Sequence, residues 1–147
     1  MLPGNPCQAE IAEPARLVDE ADSVTLFCGG GSAGAHDEVM AFAERVKAPV
    51  GHALRGKEWI QYDNPYDVGM SGLLGYGAAY EAMHEAALLV LLGTDFPYTA
   101  FLPEHVRTVQ VDSPSAWAAA PSWTWRCGAT PSSPSTPACA PSGRPAT

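Results

Sequence analysis

Four short runs of apolar and β-branched residues are separated by glycine-rich or charged stretches in the first 112 residues. Residues 23–28, 49–53 and 87–92 are apolar at most positions, whereas residues 107–112 alternate between polar and apolar side chains. A short apolar run that ends at a glycine favours a strand covered on both faces, as in a parallel sheet. The pattern therefore predicts four strands.

Helical spacing of apolar residues predicts helices between these strands. Within residues 9–21, Ile11 and Val18 lie on one side together with alanines, but Pro14 lies inside the pattern. Because proline is well tolerated only in the first turn of a helix, this helix is expected to begin at Glu13 or Pro14, or to be kinked there. Two further helices are indicated by Ala35, Val39, Phe42 and Val46, and by Leu73, Tyr76, Ala79, Tyr80 and Met83.

Two glycine-rich loops precede the second and third helices. Gly29, Gly31 and Gly34 have the G-x-G-x-x-G spacing with which bare backbone approaches a diphosphate at a helix N-terminus. The acidic residue expected about 20 positions later is missing, which counts against the ordinary NAD arrangement. In the second loop, residues 70–75, the glycines indicate either close packing of helix on sheet or amides that face an anionic ligand.

Composition narrows the classes of function. The chain has 147 residues and 46% hydrophobic content, which fits one globular domain. Its net charge of -8 disfavours nucleic acid or an anionic membrane as partner. It has no apolar run long enough to cross a membrane and no signal peptide, so the cytoplasm is expected. The four cysteines and four histidines lack the spacing of a metal site. Cys28 is expected to be a core residue. Arg55 and Lys57 are expected to be solvated surface charges.

The chain changes character after Asp112. All 16 acidic residues precede residue 113, whereas residues 113–147 contain seven of the 14 prolines. We therefore divide the chain into a leader (1–8), a folded part (9–112) and a Pro/Ser/Ala-rich tail (113–147). The tail is expected to be disordered, which would leave the strand at 107–112 as an unpaired sheet edge.

Three long motifs carry a family resemblance: APVGHALRGKE at 48–58, YDNPYDVGMSGLLG at 62–75 and LLGTDFPY at 91–98. They resemble the central domain of thiamine-diphosphate-dependent pyruvate oxidases and quinone-linked pyruvate dehydrogenases, with acetolactate synthase as a more distant relative. The resemblance covers about residues 9–112. It implies an α/β fold with a Rossmann-like (DHS-like NAD/FAD-binding) open parallel sheet, incomplete at its C-terminal end.

The resemblance also implies FAD as the cofactor of this domain. Carried over by motif, the cofactor-binding residues are Ser71, Gly72, Leu73, Leu74, Thr94, Asp95, Phe96, Pro97, Tyr98 and Asp112. The amides of 71–74 would meet diphosphate or ring acceptors, and Asp112 would accept hydrogen bonds from the adenosine ribose. The resemblance assigns no catalytic residue and no metal ligand to this chain.

In that family, thiamine diphosphate and Mg²⁺ are bound by domains that the motifs do not cover. The chain alone is therefore expected not to oxidise or decarboxylate pyruvate. Full-length relatives are homotetramers that can associate peripherally with the membrane. The alternative is a non-catalytic module that binds ADP or another nucleotide, or serves as a scaffold; the visible absorbance of a bound flavin distinguishes the two.

The same comparison gives an interpretation of the tail. Read two bases later, with a CGN codon at Arg126, the codons of Trp123 to Cys127 encode Asp, then Leu, Met or Val, then Ala, then Leu, Met or Val. This order is similar to a strand of the family, which favours a frame-shifted tail over a natural Pro/Ser-rich tail.

Overall fold

The computed structural model describes residues 8–75, 77–94, 98–111, 124–127 and 140–141. Helices and strands alternate along most of the chain. The helices are α1 (Gln8–Glu20), α2 (His36–Val46), α3 (Lys57–Ile60) and α4 (Gly77–Glu85). The strands are β1 (Val24–Cys28), β2 (Val50–His52), β3 (Asp67–Met70), β4 (Leu88–Leu92), β5 (Arg107–Val111), β6 (Thr124–Cys127) and β7 (Ala140–Pro141).

The strands form one sheet in the order β3-β2-β1-β4-β5-β6-β7. All neighbouring pairs are parallel except β6 and β7. The middle of the sheet is in direct register, with Leu26 of β1 beside Val50 of β2 and Val90 of β4. The predicted α/β fold with a Rossmann-like parallel sheet is confirmed.

The two faces of the sheet bury different apolar clusters. On one face, Leu26, Val50 and Val90 pack with Leu17 of α1 and Val39 of α2. On the other face, Phe27, Leu89 and Leu91 pack against Met83 of α4. The predicted strands are fully buried at β1 and β2 because helices cover both faces of the sheet.

Two helix starts differ from the sequence prediction. Helix α1 begins at Gln8 and runs through Pro14, so the predicted start at Glu13 or Pro14 is wrong, whereas the alternative of a kink at Pro14 stays a prediction. Burial of Leu17 on its apolar side offsets the hydrogen bond that Pro14 cannot donate. Helix α4 begins at Gly77, so Leu73 lies in a turn and not in the helix. The turn is enforced by Gly72, whose φ is 124°.

The sheet also continues beyond the predicted edge. Strand β6 pairs in parallel with β5, with Val109 beside Trp125, so β5 is not an unpaired edge. Residues 124–127 and 140–141 therefore form strands, although a tail without regular structure was predicted. The remainder of 113–147 lies outside the described residues.

None of the described helices has both the length and the apolar character required to cross a bilayer.

Candidate functional site

Loops that follow neighbouring parallel strands meet at the carboxyl edge of the sheet. Gly31, in the loop after β1, donates its amide to the carbonyl of Gly93, in the loop after β4 (2.8 Å). Ser71, which follows β3, donates its amide to the carbonyl of His52 at the end of β2 (3.2 Å). The prediction that loops 29–34, 71–74 and 94–98 share one edge is confirmed for their described residues. Asp95, Phe96, Pro97 and Asp112 lie outside these.

The first glycine loop packs against the chain itself. A Cβ on Gly29 would lie 2.4 Å from Thr94 Cβ, and one on Gly31 would lie 2.7 Å from Gly93 Cα. The amides of Gly29 and Gly31 donate to carbonyls of Leu92 and Gly93. The G-x-G-x-x-G spacing therefore serves close contact between two loops at these positions, and bare backbone there faces protein.

The loop at 71–75 presents free donors and apolar side chains. No hydrogen bond is made by the amides of Gly72, Leu73 and Leu74 within the part of the chain that the structure describes. Leu73 and Leu74 are 71% and 70% exposed, so two adjacent apolar side chains face solvent beside these amides. Of the two alternatives for this loop, close packing applies to Gly75, whose Cβ would lie 2.4 Å from the Met70 carbonyl oxygen. Ligand-facing amides fit residues 72–74.

Below this loop lies a buried hydroxyl without a protein partner. Ser71 is 3% exposed, and its Oγ forms no hydrogen bond with the described residues. Such an atom is costly unless water or a ligand satisfies it. Ser71 and residues 72–74 therefore lie together at the β3 end of the carboxyl edge.

The loop after β4 holds the two other described site residues. Thr94 is buried, and its carbonyl accepts a hydrogen bond from Gln110 Nε2 (3.0 Å). Tyr98 is 43% exposed and makes an edge-on contact with the ring of Phe101. Gln110 was not singled out by sequence reasoning, although a polar residue in a predicted strand is a signal. It ties Thr94 to β5.

The described site residues extend across the sheet, from the end of β3 to the loop after β4. Neighbouring strands lie about 4.8 Å apart, so the carboxyl ends of β3 and β4 are separated by roughly 14 Å, and those of β3 and β5 by roughly 19 Å. A ligand that contacts all of them must be long and extended. The spacing fits a dinucleotide better than a mononucleotide.

Two other candidate features are a groove and a buried cysteine, and only the groove lies apart from this edge. A groove of about 460 Å³ is lined by Pro49 and Tyr66 near the start of β2, and its walls are mainly apolar. Cys28 is buried in the core, and burial raises the pKa of its thiol to about 12, so it is neutral and unreactive at pH 7. Across the described residues, no three His, Cys, Asp or Glu side chains gather where they could hold a metal ion.

Residues 11–119 match the model of the family described as thiamine pyrophosphate enzyme, central domain. The chain belongs to this family. Its match extends seven residues beyond Asp112, where the composition changes. The parallel sheet described above is the core of such a central domain.

Relatives and solved structures agree with this assignment. A 42.6 kDa protein in the isoamylase 3′ region of Pseudomonas amyloderamosa is 50% identical over 107 residues, which are 73% of this chain and 27% of that protein. YdaP of Bacillus subtilis is 33% identical over 76% of this chain and 19% of its own length. The crystal structure of benzoylformate decarboxylase from Polynucleobacter necessarius aligns with a TM-score of 0.60 at 26% identity, over 76% of this chain and 23% of that one. This central domain thus spans about a quarter or less of the proteins it matches.

Two histidines near the site make the stability of the central domain depend on pH in opposite directions. His52 is 1% exposed, and burial lowers its pKa although Asp67 Oδ1 lies 3.4 Å from its Nε2. The hydrogen bond from His36 Nε2 to the Tyr62 carbonyl raises the pKa of His36. Because the pKa of His52 is lower in the folded protein than in the unfolded chain, protonation favours the unfolded chain. The free energy of unfolding therefore decreases as the pH falls below about 6.5.

We therefore expect His52→Gln to remove part of the acid sensitivity. The difference in unfolding free energy between His52→Gln and wild type should change in favour of the variant as pH falls, by at most about 1.4 kcal/mol per pH unit. His36→Gln should show the opposite sign, because its protonated form is stabilised in the folded state. Urea unfolding between about pH 5 and 8 measures both. Parallel curves for His52→Gln and wild type would contradict this assignment.

Proposed function

We propose that this central domain binds FAD along its carboxyl edge, as part of a thiamine-diphosphate-dependent pyruvate oxidase or quinone-linked pyruvate dehydrogenase. The observation that supports this most is the loop at 71–75. It combines two exposed leucines with three amides that donate to no acceptor among the described residues, which suits a ligand that is both apolar and rich in hydrogen-bond acceptors. The motifs at 48–58, 62–75 and 91–98 favour this subtype.

The residues of the edge fit the cofactor by their chemistry. Leu73 and Leu74 would cover an aromatic ring system, and the amides of residues 72–74 would donate to its acceptor atoms or to phosphate oxygens. Thr94 and Tyr98 would lie further along the ligand, and Asp112 at its adenosine end. FAD supplies the electron-accepting group when bound; this chain binds and orients it.

The whole enzyme is a wider proposal. Domains outside the central domain would bind thiamine diphosphate and Mg²⁺ and decarboxylate pyruvate. We expect the enzyme to be a cytoplasmic homotetramer that associates peripherally with the membrane when it delivers electrons to quinone.

Titration with FAD tests the proposal. We expect the 147-residue chain to quench flavin fluorescence in a saturable way, and the double variant Leu73→Ser/Leu74→Ser to bind at least tenfold more weakly, because each buried leucine contributes about 1.5 to 3 kcal/mol. Both side chains are exposed in the protein alone, so the unfolding midpoint should stay unchanged. Binding of ADP without binding of FAD would contradict the flavin assignment and would favour a nucleotide-binding scaffold.

A further inference from the structure

The loop after β2 places a cation at the centre of the carboxyl edge. Arg55 belongs to a short 3-10 helix, Leu54–Gly56, that folds back over β1: Ala53 donates its amide to the Cys28 carbonyl (2.9 Å). A Cβ on Gly30 would lie 3.3 Å from Arg55 Cβ, so the arginine stem rests on the first glycine loop. Strand β1 is the third of the five strands from β3 to β5.

The position of Arg55 also depends on the glycine that follows it, Gly56. A Cβ on Gly56 would lie 2.5 Å from the Cys28 carbonyl oxygen, so only glycine lets the loop approach the end of β1 this closely. Arg55 is thereby held beside the glycine loop by backbone contacts, although its own side chain is exposed. The fold fixes its Cα and leaves the guanidinium available.

Arg55 differs from Arg16 in its ion pairing. Arg16 forms ion pairs with Glu13 and Glu20. Arg45 lies in the last turn of α2, where a cation stabilises the helix dipole. Arg55 forms no ion pair with the described residues. A guanidinium with five donors and no carboxylate partner is suited to bind phosphate oxygens in a bidentate manner.

We propose that Arg55 binds the diphosphate of the dinucleotide that lies along the edge. The inference rests on the proposed function, because it takes the ligand to extend from Leu73 and Leu74 towards the carboxyl end of β5. The diphosphate is the middle of a dinucleotide, and Arg55 occupies the middle of the span. The amides of Gly29 and Gly31 donate to protein carbonyls and are not available to the diphosphate, so the contact falls to the arginine. Lys57, also exposed and two residues later, adds a second positive charge.

The test compares ligands that contain a diphosphate with ligands that contain no phosphate. Affinities of wild type, Arg55→Gln and Arg55→Lys are measured for FAD and riboflavin by flavin fluorescence, and for ADP and adenosine by calorimetry. Arg55→Gln should weaken FAD and ADP by roughly tenfold to a hundredfold, the range of charge-assisted hydrogen bonds. Riboflavin and adenosine, which carry no phosphate, should bind as they do to wild type. Arg55→Lys should retain part of the affinity, and the salt dependence of FAD binding should decrease in Arg55→Gln.

Arg45→Gln is the matched control, because it removes the same charge from an exposed position in the last turn of α2. Equal FAD affinity of Arg55→Gln and Arg45→Gln would overturn the role of Arg55 while leaving the proposed function intact. Binding of ADP but not FAD, with the same dependence on Arg55, would overturn the flavin assignment and support the diphosphate contact. A wild-type chain that binds neither ligand would overturn both. Unchanged riboflavin affinity shows that a weakened variant is still folded.

Discussion

Replacement of Gly93 by alanine is expected to destabilise the central domain by about 2 to 5 kcal/mol. Two costs add at this position. Gly93 has a φ of 59°, which costs an alanine about 1 to 2 kcal/mol. Its Cβ would also lie 2.5 Å from the carbonyl carbon of Gly31 and 2.7 Å from the amide nitrogen of Ser32. These are backbone atoms, so one of the two loops must move, at a cost of roughly 1 to 3 kcal/mol.

Two other glycines separate these costs. Gly34 also has a positive φ (78°), but no atom lies within 4 Å of its Cβ position, so Gly34→Ala should lose only the conformational cost of about 1 to 2 kcal/mol. Gly77 lies in α4, where its nearest neighbour would be Glu81 Oε1 at 3.9 Å, and Gly77→Ala should be neutral or stabilise by up to about 1 kcal/mol. Urea unfolding of the three variants gives the order. A Gly93→Ala variant as stable as Gly34→Ala would mean that the two loops do not touch in solution.

The Gly93 contact illustrates why the strands could be predicted and the role of the first glycine loop could not. Runs such as 87–92 are determined by local hydrophobicity, which the sequence shows directly. The contact between Gly31 and Gly93 joins residues 62 positions apart, and spacing within one loop says nothing about the partner of a glycine. A diphosphate cradle and a loop contact leave the same pattern of glycines.

Strand β3 was missed for a related reason. Asp67–Met70 has no apolar run and is only half-buried, because it lies at the end of the sheet and pairs on one side with β2. Sequence reasoning identified this segment only through the family motif at 62–75. Arg55 was interpreted as a solvated surface charge, which is the usual role of an exposed arginine. Its contact with Gly30 depends on the fold of the loop after β2.

The tail differs in a more instructive way. Its prolines and few aliphatic residues predict disorder, yet Thr124–Cys127 pairs with β5. The four residues TWRC include a β-branched and an aromatic residue, which suit a strand. An exposed row of donors and acceptors on β5 would favour pairing with such a segment. The position of β6 coincides with the strand that the shifted reading frame would encode.

Replacement of Phe27 by alanine is expected to destabilise the central domain by about 3 to 5 kcal/mol, and a second substitution should recover part of that loss. Phe27 is fully buried between Met83, Leu89 and Leu91, so alanine would leave a cavity. A Cβ on Gly51 would lie 3.2 Å from Phe27 Cδ2 and 3.4 Å from Ala79 Cβ. Gly51→Ala alone is therefore tight, and its cost should be offset by the lower entropy of the unfolded chain, with a net change within about 1 kcal/mol.

In the double variant Phe27→Ala/Gly51→Ala, the new methyl group enters space that the ring has left. The loss should therefore be about 1 kcal/mol smaller than the sum of the two single losses, a coupling typical of residues in contact. Phe27→Ala/Gly34→Ala is the control, since Gly34 has no neighbour at its Cβ position and the two changes should add within about 0.5 kcal/mol. Urea unfolding of the six proteins, wild type included, gives both couplings. If Gly51→Ala also combined additively with Phe27→Ala, Phe27 would not pack against β2 at Gly51, and the order of the sheet on that side of β1 would have to be revised.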